Sequence, residues 1–152
     1  MSKPTPHDYS WNLYINGYKN PYDPDAEWAN DWLDSSVTFF SGNEIQTFPL
    51  NHLLIEELED FYKWLTKIYD GHKVSQTFEF VDSELWFELI ESDPLLILRL
   101  TYGLEVEKRV VIDFPIRQGS MLLNQQIEKV AKLLNDFPCR CGMEHNLFSK
   151  QF

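Results

Sequence analysis

From Leu54 onward, apolar residues recur at alternating steps of four and three: Leu54, Leu58, Phe61, Leu65 and Ile68, with Ile55, Tyr62 and Tyr69 widening the stripe. That period is an amphipathic helix, and the flanking residues predict its ends. Asn51 stands where a side-chain oxygen can cap the free N–H groups of the first turn. Leu50 can staple against Ile55, and Gly71 supplies the left-handed residue that closes many helices. Glu56, Glu57, Glu59 and Asp60 near the start and Lys63 and Lys67 further on suit the helix dipole, with Glu59 four residues before Lys63. The polar face is thereby explained without any chemistry.

Upstream, Trp11 to Tyr18 alternates as a strand with Leu13 and Ile15 on one face. Trp32 to Phe40 and Glu44 to Phe48 read as a hairpin around Ser41, Gly42 and Asn43. After Gly71 the period changes to two: Phe78 and Phe80, then Leu85, Phe87 and Leu89, then Leu96, Leu98, Leu100 and Tyr102, then Val106, Val110, Ile112 and Phe114. The connectors at Asp82-Ser83, Ser92-Asp93-Pro94 and Gly103 are too short for parallel crossovers, so the four strands form an antiparallel meander. Ser120 is placed to cap a second helix with the stripe Leu123, Ile127, Val130, Leu134 and Phe137, and Pro138 stops it.

Six to seven strands and two helices, each helix with one apolar stripe, predict an α+β fold. The expectation is a single two-layer domain: a largely antiparallel sheet with both helices packed on one face. Leu58, Phe61 and Leu65 should be buried together with Ile127, Val130 and Leu134. A length of 152 residues, 43% of them hydrophobic, suits one core. The domain is expected over 11–138, between a flexible lead-in at 1–10 and a tail at 139–152 that has no period. No stretch reaches the ~18 apolar residues of a membrane span and the N-terminus lacks a signal-peptide core, so a cytoplasmic protein is expected.

Charge changes the picture more than composition does. The net charge of −11 argues against nucleic acid or a membrane as a direct partner, since both need a basic footprint. Between Lys19 and Lys63 there is no Lys or Arg, while ten carboxylates fall in that interval, from Asp23 to Asp60. Asp23, Asp25, Glu27 and Asp31 crowd the loop that follows the first strand, and Asp34 comes just after. A loop of this length is uncommon in a compact domain and is often functional. Ordinary solubility explains such charge; the sharper alternative is a negative field that steers a basic protein partner. Tyr22 and Trp28 lie where an interface could use them as anchors, as does Trp86 on a sheet face with Glu84 and Glu88.

Candidate chemistry is thin. Cys139, Cys141 and His145 give C-x-C-x3-H, three soft ligands at a spacing unlike a zinc ribbon or knuckle, so neither a metal nor a cofactor is expected. Two cysteines do not make a disulfide framework, and reduced thiols are expected. No phosphate-cradling glycine motif, nucleophile elbow or H-E-x-x-H occurs, so no catalytic residue is assigned and the chain is not expected to be an enzyme.

Four segments carry a family resemblance: N-D-W-L-D-S-S-V-T-F at Asn30 to Phe39, E-E-L-E-D-F-Y-K-W-L at Glu56 to Leu65, F-E-F-V-D-S-E-L-W-F-E-L at Phe78 to Leu89, and L-L-N-D-F-P-C-R at Leu133 to Arg140. In order and spacing the chain resembles the WapI-type immunity proteins, small acidic proteins of bacterial contact-dependent toxin systems. The resemblance implies binding to the C-terminal domain of a cognate toxin, often a nuclease, and it carries over no catalytic residue. The alternative is a generic protein-interaction or structural domain. Neither reading names the toxin or the oligomeric state.

Overall fold

Alternation in the first third of the chain becomes a three-stranded antiparallel meander, β1 (Tyr9–Tyr18), β2 (Trp32–Ser41) and β3 (Glu44–Leu54), in that order. The computed structural model describes residues 9–26, 30–41, 43–80, 84–92, 95–103, 106–116 and 121–139. Register sets Leu13 beside Val37 and Val37 beside Phe48, and Trp11 beside Phe39, so one face of the meander is apolar and buried. The other face pairs Asn12 with Thr38 and Thr38 with Thr47, whose hydroxyls meet at 2.9 Å.

The second run of alternation is another meander, β4 (Thr77–Glu79), β5 (Leu85–Ser92), β6 (Leu95–Tyr102) and β7 (Val110–Ile116), again in sequence order and antiparallel. Its inner rows are Phe78–Phe87–Leu100–Ile112 and Leu89–Leu98–Phe114. Val106, expected in the last strand, instead lies in a short 3-10 turn over Val106–Lys108.

The fold is α+β, with seven antiparallel strands among the described residues, but they divide into sheets of three and four instead of forming one. The reason is coverage. Seven strands side by side would span roughly 34 Å at ~4.8 Å each, whereas two helices packed 8–10 Å apart cover only about 20 Å. Two sheets let each apolar face bury part of the other. Trp11 of β1 lies 5.6 Å from the Phe87 ring and 4.8 Å from that of Phe114. Tyr102 of β6 stacks on Phe48 of β3 at 4.5 Å, and its hydroxyl donates to Pro49 O at 2.8 Å.

Helix α1 (Ile55–Tyr69) packs against α2 (Met121–Asp136) and onto the second sheet. Its Phe61 ring sits 4.6 Å from Phe87 and 5.2 Å from both Phe78 and Phe80. Leu58, Phe61 and Leu65 are buried in one cluster with Ile127, Val130 and Leu134, as the stripes predict. Helix α1 begins three residues later than a cap at Asn51 would start it, because Leu50 and Leu53 stay in the ladder opposite Ser35 and Leu33. Leu54 takes the cap position and has no side-chain acceptor, so only the return half of a capping box forms, Leu54 N to Glu57 Oε1 at 3.3 Å. At the other end Gly71 has φ +79°. It donates to Ile68 O while His72 N donates to Lys67 O, the paired closure that a left-handed glycine permits. The expected cap at Ser120 lies outside the described residues.

Candidate partner-binding surface

The described residues of the acidic loop between β1 and β2 are tied together by hydrogen bonds. Lys19 N donates to Trp32 O at 2.8 Å and closes its base. Pro24 sits at the second position of a turn closed by Ala26 N to Asp23 O at 3.0 Å, a place that suits its fixed φ. Asp23 Oδ1 accepts from Asp25 N at 2.9 Å. Asn30, 2% exposed, clamps the far side: its Oδ1 accepts from Asp23 N at 2.8 Å and its Nδ2 donates to Asp23 O at 2.7 Å. The closed loop presents Tyr22, 59% exposed, and the side chains of Asp23 and Asp25 to solvent.

The segment after α2 holds the base of this loop. Tyr18 packs edge-on to Phe137 at 5.9 Å and its hydroxyl donates to Pro138 O. Cys139, assigned to a loose tail by its lack of period, is half-buried there, with Sγ 2.9 Å from Asp31 Oδ2. Cys139 is disulfide-bonded, a correction to the expected reduced thiol; that expectation came from cysteine count, which is blind to geometry. A disulfide sulfur has no proton to donate, so the approach to Asp31 is an oxygen–sulfur contact. The other cysteine, Cys141, and His145 lie outside the described residues.

Of the residues proposed from sequence, Tyr22, Asp23, Asp25 and Asp34 are exposed at the end of the first sheet that carries the loop. Asp34 sits where both neighbouring strands gain a residue: β1 shifts register between Ile15 and Gly17, and β3 sets Asn51 and His52 between the partners of Leu33 and Ser35. Such bulges re-aim side chains. Asp31 is 1% exposed and turned against Cys139, so it has no surface to offer. Glu27 and Trp28 lie outside the described residues.

Trp86 is elsewhere, on the outward face of the second sheet, in the row Glu79–Trp86–Thr101–Val111. Its Nε1 donates to Glu88 Oε1 at 3.2 Å, and the Arg109 guanidinium lies 5.1 Å over its ring. The next row holds Glu88, Arg99 and Asp113, with Arg99 bidentate to Asp113 at 2.8 and 3.1 Å. The Asp113 hydrogen bonds and charge, with a smaller push from Glu88, raise the Arg99 pKa. Sequence reading passed over Tyr14 and Ile45, which are 45% and 67% exposed on the outward face of the first sheet. Alternation could have found them, since Tyr14 and Ile45 are out of phase with Leu13 and Phe48.

Among the described residues no group of three or more His, Cys, Asp or Glu side chains is arranged to hold a metal ion, and no helix is long and apolar enough to cross a membrane. Comparison with curated proteins and with solved structures returns no match. A family model, that of the WapI-like immunity proteins, matches residues 5–138. That span takes in both sheets, both helices and the folded acidic loop, and the chain belongs to the immunity protein WapI-like family.

Proposed function

We propose that the chain binds and neutralises the C-terminal domain of a cognate bacterial toxin in the cytoplasm, without chemistry of its own. Family membership carries this reading; the acidic loop supports the choice of a basic, nuclease-like toxin domain. Nucleases are basic because they bind phosphate, so a preformed acidic surface accelerates encounter and competes for the substrate groove. Asp23, Asp25 and Asp34 supply charge in this reading, Tyr22 supplies an anchor, and Glu27 and Trp28 join them at the level of sequence.

The test uses the purified C-terminal domain of the toxin encoded beside this chain. Asp23→Asn with Asp25→Asn keeps the Asp23 side-chain oxygen that accepts from Asp25 N while removing both charges. It should slow association roughly three- to tenfold at low salt and flatten its salt dependence. Tyr22→Ala should speed dissociation about tenfold, the equivalent of ~1.4 kcal/mol. A parent chain that neither binds this domain nor protects cells from it would overturn the reading.

A further inference from the structure

We infer that the Cys139 disulfide is a redox switch at the base of the acidic loop: a dithiol opens it, and the freed thiol then donates to Asp31 and steadies the loop. The inference deepens the toxin-neutralising reading by adding how the same loop is regulated, and it rests on that reading for its effect on binding. Residues Phe137 to Cys139 lie across the mouth of the loop. On the β1 side Phe137 packs edge-on to Tyr18, and Pro138 O accepts from the Tyr18 hydroxyl. On the β2 side Cys139 Sγ meets Asp31 Oδ2 at 2.9 Å. The residues next in sequence, Lys19 and Trp32, make the bond that closes the base. A change at the Cys139 sulfur is therefore felt where the loop leaves the sheet.

As a staple the bond does little. Cys139 is disulfide-bonded, and the chain has one other cysteine, Cys141, so a bond within the chain spans Arg140 alone. Disulfide stabilisation grows with the length of the loop closed, and a loop with one residue between its ends is near the bottom of that scale. In the cytoplasm proposed for this chain, disulfides are rare, and those that form are transient and redox-sensing. Cys139 is only half-buried, which leaves the bond open to exchange. A thiolate of the dithiol attacks one sulfur, and the chain's S–S bond breaks as a mixed disulfide forms. The second thiol of the reductant then resolves it, so both cysteines end as thiols and the reductant as a disulfide.

The two states offer Asp31 different chemistry. An oxidised sulfur has no proton and turns lone pairs toward a carboxylate that is 1% exposed. A reduced sulfur brings an S–H at a separation already within hydrogen-bond range. A thiol is a weak donor, but a charged acceptor in a buried setting strengthens the bond. Reduction thus adds a tie between the end of the loop and the segment after α2, and oxidation removes it. The reduced chain is the one that holds the loop in its binding shape.

The experiment compares the parent chain oxidised with diamide and reduced with dithiothreitol, its free thiols counted by alkylation and mass spectrometry. The oxidised chain should be a monomer without free thiols. Hydrogen exchange at the Lys19 amide should be ~3–10-fold slower in the reduced chain, the effect of one net hydrogen bond. Kd for the C-terminal toxin domain encoded beside this chain should be lower in the reduced state by a factor in the same ~3–10-fold range. Cys141→Ser, which leaves Cys139 a thiol, should match the reduced parent under both conditions. Cys139→Ala, which removes the donor, should match the oxidised parent under both. Equal Lys19 exchange in the two states overturns the switch, as does a disulfide that forms only between two chains or thiols that diamide does not join. A Kd that stays constant while Lys19 exchange changes overturns it as a control of binding. No binding by the parent in either state overturns the toxin-neutralising reading, while Lys19 exchange and the thiol count still decide the switch.

Discussion

Asn30→Ala isolates what holds the acidic loop in shape. The side chain is 2% exposed and, among the described residues, clasps the backbone of Asp23 with a pair of hydrogen bonds. Each is worth a net ~0.5–1.5 kcal/mol, so deletion removes about 1–3 kcal/mol. Asp23 is exposed, and water can reach its freed groups, which places the expected loss in the lower half, about 1–2 kcal/mol. The loss should be local, because Lys19 N to Trp32 O and Ala26 N to Asp23 O remain. Hydrogen exchange at the Asp23 amide should accelerate ~5–30-fold while the global denaturation midpoint barely moves. Asn30→Asp keeps the acceptor but sets an oxygen against Asp23 O, now 2.7 Å from Nδ2. Its carboxyl is pushed toward the protonated form, in which it can donate, so its folded pKa rises above the unfolded ~3.9. Stability is then lost as pH climbs from about 4 through the folded value. Asp23 exchange identical in Asn30→Ala and the parent would refute this account of the loop.

Leu58→Ala or Leu65→Ala, each from a fully buried site, should cost ~2–5 kcal/mol in a denaturant titration, and a loss below ~1 kcal/mol would mean that the stripe is not core. Tyr102→Phe keeps the stack on Phe48 but loses the bond to Pro49 O, a cost of about 1 kcal/mol. Burial first and the Glu84 charge second hold the Tyr102 hydroxyl above its ordinary value. The folded state therefore keeps that proton after the unfolded chain has begun to lose it, and stability falls as pH rises past ~10. Tyr102→Phe should flatten that alkaline limb, and an unchanged limb would count against the assignment.

What the sequence disclosed was whatever neighbouring residues decide. The stripes of α1 and α2, the glycine closure at Gly71 and the alternation of β5, β6 and the Val110–Phe114 part of β7 depend on spacing within an element, and the structure has them where spacing puts them, with Val106 left out in a 3-10 turn. Asn51 failed as a cap because pairing of Leu50 and Leu53 with β2 overrode a local preference. Asp31 read as surface charge, yet it is buried and meets Cys139, 108 residues away. The division into two sheets likewise depends on contacts such as Trp11 with Phe114 and Tyr102 with Phe48, which no window of sequence contains. For the candidate surface, loop charge was legible from composition, and the exposed Tyr14 and Ile45 were legible from alternation, being out of phase with Leu13 and Phe48.

The clamp on Asp23 also bears on how an acidic loop can bind tightly. Fixing one residue's backbone costs roughly 1–2 kcal/mol, so ordering even a handful of slack loop residues on binding would cancel several anchors. Here Asn30, the turn at Pro24 and the base bond at Lys19 impose that order on the described loop residues before any partner arrives, and binding energy from Tyr22 is not spent on it. Asn30→Ala should therefore weaken toxin binding even though Asn30 is too buried to touch a partner. The size of the effect should track the exchange at Asp23: a ~tenfold faster amide with a loop that must re-close gives up to ~tenfold weaker Kd. If the loop is instead a bystander, Asn30→Ala will loosen Asp23 and leave Kd where it was. That result would remove the loop from the recognition surface.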